Sequence, residues 1–331
     1  MNSKSSTVDS DPLNESLITY NELNSREVEE LTEVPTALEF MRYVARNRPV
    51  VIRGGAKDWE ATRNWNAAYL KNILHGRSVN VAITPLGNAD SPTPDEDGNI
   101  IFVKPLEEQQ PFGEFLDFVM NQELSGGPSG EVRYAQTQND NLRGEYDTLF
   151  SYVDKDIPWA RIALQQVPEA INLWIGNSRS VTALHKDDYE NIYCQIIGQK
   201  HFVLLPPIAY SVVNERELLP ASYVREEDGQ LKMQLEEGGP LVPFAIWDPD
   251  KPTVNATRYS EIAYPLRVTL EAGDMLYLPA LWFHKVSQSC SEEGLCCAVN
   301  YWYDMDFSGS FYPLCNLARS TALAVSRRSP R

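Results

Sequence analysis

Beyond Arg133 the sequence is cut by turn signals into short β-prone runs, and this texture limits the fold more than any other feature of the chain. RYAQTQ, INLWIGN, VTALHKD, NIYCQIIG, KHFVLLPP, LRVTLEAG, DMLYLPA and CCAVNYWYD are rich in β-branched, aromatic and aliphatic residues, with turn-forming residues between them. Short strands of this kind bury their apolar faces only against one another, so they predict a sandwich or barrel. Residues 208–264, with their prolines and glycines, are too long for a hairpin connection and read as an excursion between strands. Ahead of the β-rich region, Leu31, Ala37, Phe40, Met41 and Val44 recur at near-helical spacing and predict a helix within 27–47, stopped by Pro49. PVVIRGG predicts a short buried strand, WNAAYLKNILHG a helix closed by Gly76, and VNVAITP a further strand, whereas 86–99 and 126–130 read as loops. FYPLCNLARSTALAVSRR predicts a C-terminal helix over about 311–326, available for packing or for dimerisation. The expected organisation is a flexible tail over 1–26 and one mainly β domain with flanking helices over 27–331, its barrel core spanning about 131–307.

The 331 residues carry 29 Lys and Arg against 46 Asp and Glu, a formal charge of −17. Such a surface disfavours a phosphate backbone and suits a basic protein segment, so nucleic acid is not an expected partner. No stretch approaches the roughly 18 apolar residues of a membrane span, and the polar opening MNSKSSTVDSDPLNESL lacks the apolar core of a secretory signal. The 5 cysteines, with Cys296 and Cys297 adjacent and no CxxC pair, argue for a reduced protein without structural disulfides or a zinc ribbon. A cytoplasmic location, with the nucleus as a second, is the expectation.

In VTALHKDDYEN, His185 and Asp187 are separated by one residue, so on a strand both side chains project from the same face. With a distant imidazole they would form a 2-His-1-carboxylate facial set, which leaves metal positions open. His284, in PALWFHKV, is the candidate third ligand. Alone, His-x-carboxylate carries little weight in a chain with 46 acidic residues among 331. His185 also fits a surface histidine on a half-exposed strand, and His284, beside Leu281, Trp282 and Phe283, a core histidine.

Longer stretches supply the context. LHKDDYENIYCQIIGQKHFVLLPP resembles the metal-binding segment of the jumonji-C, cupin-like oxygenases. LEAGDMLYLPALWFHKV followed by VNYWYD resembles their distal-histidine segment, and NRPVVIRGGAKDW resembles their opening strand. The similarity covers most of 37–307. It implies a double-stranded β-helix, the jelly-roll or cupin barrel. In that family's chemistry His185, Asp187 and His284 would hold Fe(II), with 2-oxoglutarate and O2 as cosubstrates. Lys200 matches the lysine that pairs with the distal carboxylate of 2-oxoglutarate, a role suited to a compact buried ammonium. Thr182 and Tyr134 match hydroxyl donors to the same carboxylate, Asn191 and Asn300 match pocket amides, and Trp174 matches an aromatic wall position. Thr182 lies an odd number of residues from His185, so alternation puts it on the opposite face unless a bulge or turn intervenes.

HKDDYEN, YAQTQND and NYWYD resemble a small lysyl-hydroxylase member of this family. That implies (3S)-hydroxylation of a lysine in a translation-associated GTPase of the developmentally regulated GTP-binding class, and a homodimer in keeping with relatives. Asp188 and Glu190 would either orient the substrate ammonium or be solvated strand-end charges. The same scaffold also fits a histone lysine demethylase, an arginyl or asparaginyl hydroxylase, or an enzyme acting on an RNA base. A metal-dependent peptidase and a non-catalytic cupin binding module are readings of other classes.

Overall fold

The computed structural model describes residues 11–126 and 130–328. Its centre is two facing sheets. The barrel strands, numbered in chain order, are β1 (Ala170–Gly176), β2 (Thr182–His185), β3 (Tyr189–Ile197), β4 (Gln199–Leu205), β5 (Leu266–Leu270), β6 (Met275–Leu278), β7 (Phe283–Ser289) and β8 (Cys296–Asp304). One sheet has the order β6-β3-β8-β1, and the other β5-β4-β7-β2. Antiparallel strands that alternate between two sheets in this way make a jelly roll, in keeping with the expected fold class. Each short run identified in the sequence from INLWIGN onward supplies one barrel strand, while RYAQTQ contributes only the short strand Val132–Tyr134.

The N-terminal region extends the barrel. Val50–Ile52 pairs antiparallel with β6, and Glu29–Leu31 pairs parallel with Val50–Ile52, giving a six-stranded sheet. The helix expected within 27–47 is therefore shorter, Ala37–Arg46, and begins at a Thr36/Glu39 capping box. Pro35 and Thr36 separate strand from helix, a boundary that apolar spacing alone does not reveal. Phe40 anchors this helix edge-on between Trp159 and Tyr277, at centroid distances of 4.6 and 4.7 Å.

Two expectations need correction. Residues Pro12–Leu23, assigned to a flexible tail, form a helix that begins at an Asp11 N-cap and buries Leu13 and Leu17 against Tyr210, Tyr259 and the C-terminal helix. Residues 1–10 of that tail, and 127–129 of the expected 126–130 loop, lie outside the described residues. The 208–264 segment is the expected excursion, between β4 and β5, and it holds the strands Glu215–Leu218, Pro220–Arg225, Leu231–Leu235 and Val242–Ala245. Pro220–Arg225 pairs with Ile100–Lys104, which in turn pairs with Ser91–Pro94 inside the expected 86–99 loop. The C-terminal helix, Phe311–Arg328, packs Cys315 and Ala322 inward. Among the described residues, no helix is long and apolar enough to cross a membrane.

Candidate active site

His185 ends β2, and Asp187 follows it in the turn to β3. His284 on β7 is the cross-strand partner of His185, and their ring centroids lie 4.1 Å apart. The Asp187 Oδ2 atom is 3.8 Å from His185 Nε2 and 3.6 Å from His284 Nε2. The ligand atoms of the trio all lie within 4.8 Å of one another.

The rings are oriented from behind. His185 Nδ1 is 2.8 Å from the Ala183 carbonyl and His284 Nδ1 is 3.0 Å from the Trp282 carbonyl. A carbonyl only accepts, so each Nδ1 carries the proton and each Nε2 presents a lone pair to the shared space. Burial, followed by the proximity of His185, lowers the pKa of His284 to about 4, which keeps it neutral at ordinary pH. Two imidazole Nε2 atoms and a carboxylate are the donor chemistry of a facial metal set, and these residues fit one divalent ion. The His284 side chain is 7% exposed, against 26% for His185 and 25% for Asp187, so the trio opens to one side.

The turn before β7 is braced at both ends. Leu281 takes a left-handed conformation (φ 66°), which a branched side chain rarely adopts, and its N–H donates to the Asp187 carbonyl at 2.9 Å. Asn47, also left-handed at the end of the Ala37–Arg46 helix, donates to the Ala280 carbonyl and accepts from the Trp282 indole. Glu190 accepts from the Tyr277 hydroxyl at 2.6 Å and the Ala280 N–H at 3.2 Å. It therefore supports this same turn, rather than facing a substrate or solvent. Backbone strain held by such over-determined contacts is what a preorganised ligand pair requires.

One cavity joins the trio to Tyr134, Trp174, Thr182, Asn191, Lys200 and Asn300, the ligand and pocket residues expected from the resemblance, whereas Asp188 and Glu190 do not line it. Thr182 arrives by the bulge that alternation demanded: His284 pairs with His185, but Val286 pairs with Thr182, so three steps on β2 oppose two on β7. Strict alternation carries the rest. Lys200 and Phe202 on β4, Val286 on β7, and Asn300 and Trp302 on β8 share the inner faces. The Trp174 indole donates to Asn300 (2.9 Å) and Asn300 donates to Asn191 (3.1 Å), a buried polar chain.

Lys200 is 3% exposed, and its ammonium donates to the Tyr134 hydroxyl at 2.9 Å. Burial opposes its charge, and the groups nearest it are the neutral phenols of Tyr134 and Tyr193. Among the described residues, no carboxylate forms an ion pair with it. Nor does the buried Trp302 Nε1, in the same wall, have a partner. A buried ammonium with only phenol partners, next to an unmatched donor, fits an anionic ligand.

Gly176 makes room for this arrangement, because a Cβ there would lie 2.4 Å from a Tyr134 ring carbon. Gly176→Ala is expected to cost about 1–3 kcal/mol by overpacking, read as a lower Tm. Unchanged unfolding would show that Tyr134 moves freely.

Sequence reading missed the cavity residues Tyr193, Phe202 and Val286, which alternation from Asn191, Lys200 and His284 would have found. Asp90, Gln136 and Phe244 were also missed; they come from segments outside the barrel, and no local signal marks them.

The cupin-like domain family matches residues 35–309. Human bifunctional peptidase and (3S)-lysyl hydroxylase JMJD7 is 39% identical over 278 residues, covering 84% of this chain and 84% of that protein. Lysine-specific demethylase JMJ32 of Arabidopsis thaliana is 39% identical over 285 residues, 82% of this chain and 80% of its own. JmjC domain-containing protein E of Dictyostelium discoideum is 35% identical over 298 residues, 84% of each chain.

Proposed function

The chain belongs to the cupin-like jumonji-C family of iron(II)- and 2-oxoglutarate-dependent oxygenases, and from that premise we propose that it is a protein hydroxylase adding oxygen to a lysine side chain. The observation that carries the reading is one cavity holding both the His185, Asp187 and His284 donors and the buried Lys200 ammonium. Iron and 2-oxoglutarate, when bound, would supply an oxidant for a C–H bond as the cosubstrate is decarboxylated to succinate. The two Nε2 lone pairs and the Asp187 carboxylate would hold the metal. Lys200 and Tyr134, with Thr182, would hold the distal carboxylate, and the Trp174, Asn300 and Asn191 chain would fix the adjoining wall. No side chain is required to act as general acid or base, and the protein's task is to orient the reactants and limit water.

The substrate class follows the human relative's name, (3S)-lysyl hydroxylase, and the net charge of −17 suits a basic segment. We place the target in a translation-associated GTPase of the developmentally regulated GTP-binding class. The test incubates the enzyme with that GTPase, iron, ascorbate and 2-oxoglutarate. A lysine heavier by one oxygen atom, formed only with 2-oxoglutarate, is the expected result. Loss of a methylene from a methylated histone peptide would instead establish the demethylase reading, which the Arabidopsis relative's name favours. Peptide cleavage that persists without 2-oxoglutarate would establish the peptidase reading named for the human relative.

A further inference from the structure

The cavity contains one charged group that neither the metal set nor the cosubstrate can use. Asp90 lines it together with the trio and Lys200. A carboxylate beside a dicarboxylate cosubstrate is repulsive, and a cationic remaining ligand would compensate it. We infer that the Asp90 carboxylate, together with the Gln136 side-chain oxygen, receives the ammonium of the substrate lysine; this rests on the lysyl-hydroxylase reading and assigns the residues that select for it.

Acceptor capacity supports the assignment. Gln136 Nε2 donates to Asp90 Oδ2 at 3.0 Å, which fixes the amide with its oxygen free. Among the described residues, no hydrogen bond or ion pair reaches Asp90 Oδ1 or Gln136 Oε1. Lys104, whose charge reaches Asp90, is itself bound to Glu236 at 2.9 Å, and Glu107 adds a second negative charge nearby. Burial raises the Asp90 pKa against the opposing hydrogen bond from Gln136, the mark of a carboxylate short of a counter-ion. Phe244, Trp174 and Trp302 in the same cavity offer apolar surface for the lysine methylenes.

The carboxylate is also held in place. Asp90 has a φ of 50°, a left-handed conformation that costs an aspartate free energy. Its loop is pinned on two sides: the Val181 N–H, in the run leading into β2, donates to the Gly87 carbonyl, and the Gly87 N–H donates to Thr84 Oγ1 on the strand before the loop, both at 2.8 Å. Only glycine fits at 87, since a Cβ there would lie 1.9 Å from the Arg179 carbonyl oxygen. The acidic wall is thus registered against the strand that carries His185.

The test uses full-length protein with manganese(II) in place of iron and 2-oxoglutarate bound, titrated with Nα-acetyl-lysine methylamide and with its Nε-acetylated form. The wild type is expected to bind the free amine at least ~10-fold more tightly. Asp90→Asn keeps the shape, and asparagine tolerates positive φ. It should abolish this preference without lowering 2-oxoglutarate affinity or Tm, and Asp90→Ser should also abolish the preference. Equal binding of the two probes by the wild type overturns the assignment, as does failure to bind the amine at all. A preference that survives Asp90→Asn overturns it as well, and tighter binding of Nα-acetyl-arginine methylamide overturns the choice of lysine. The two readings fail separately. An amine preference without any oxygenated lysine defeats the hydroxylase, whereas oxygenated lysine without an amine preference defeats the role of Asp90.

Discussion

Asp187→Ala is expected to abolish product formation and to remove metal binding while leaving the fold intact. The Asp187 carboxylate is the only anionic member of the trio and sits between the two imidazoles, 3.6 and 3.8 Å from their Nε2 atoms. Loss of a group that merely orients a metal ligand typically costs 10–100-fold in affinity, so loss of a ligand that also supplies the site's negative charge should cost ~100-fold or more. The fold should not suffer. The N–H of Leu281 bonds to the Asp187 backbone carbonyl, which alanine retains, and the side chain is 25% exposed. Metal-free stability should therefore change by no more than about 0.5 kcal/mol. Titration with manganese(II) alongside thermal unfolding checks both halves, and Asp188→Ala, whose side chain is 50% exposed, is the control expected to keep the metal. Wild-type metal affinity in Asp187→Ala would remove Asp187 from the ligand set.

The barrel was legible because its short runs are rich in β-branched and aromatic residues and are separated by turn signals; β1 and β8 are buried along nearly their whole length, so the two-residue strand period, not a polar face, sorts their side chains. That regularity places Lys200, Phe202, Val286, Asn300 and Trp302 on inner faces without any coordinates. It failed at Thr182, where a bulge breaks the register between β2 and β7. A bulge is set by how two strands meet, not by either sequence alone. The helix Pro12–Leu23 was hidden for a related reason: its apolar residues Leu13 and Leu17 are too few to mark a face, and partners distant in sequence bury them. Asp90 shows the clearest limit. It belongs to a stretch whose Gly, Pro, Asp and Asn content signals a loop, and contacts distant in sequence, Val181 to Gly87 and Gln136 to Asp90, bring it to the metal cavity. Conversely, Glu190, an acid near the metal motif in sequence, turns inward to hold a turn. Proximity in sequence did not decide between the two readings of Glu190, because strand direction, not separation, decides what a side chain faces.

Lys200→Met separates ligand recognition from stability, because the two should move in opposite directions. In the protein without cosubstrate the ammonium is buried with Tyr134 as its hydrogen-bond partner at 2.9 Å, and no carboxylate offsets its lost hydration. A buried ion carries a desolvation penalty of several kcal/mol, which an apolar side chain of similar length does not. The Tm of the cosubstrate-free variant should therefore match or exceed that of the wild type. With 2-oxoglutarate the sign reverses. Its distal carboxylate would enter the same desolvated wall with no countercharge, and breaking a buried pair from one side costs about 3–5 kcal/mol, so affinity should fall by at least ~100-fold. Metal affinity should be unchanged, since Lys200 makes no hydrogen bond or ion pair with the trio among the described residues. Lys200→Arg should not rescue binding, because a planar fork cannot occupy the space of a compact ammonium beside the Tyr134 and Tyr193 rings. Calorimetric titration with 2-oxoglutarate and thermal unfolding, each with and without manganese(II), read these effects independently. Retained 2-oxoglutarate affinity would place the dicarboxylate elsewhere, and parallel loss of metal and cosubstrate would make Lys200 a structural residue.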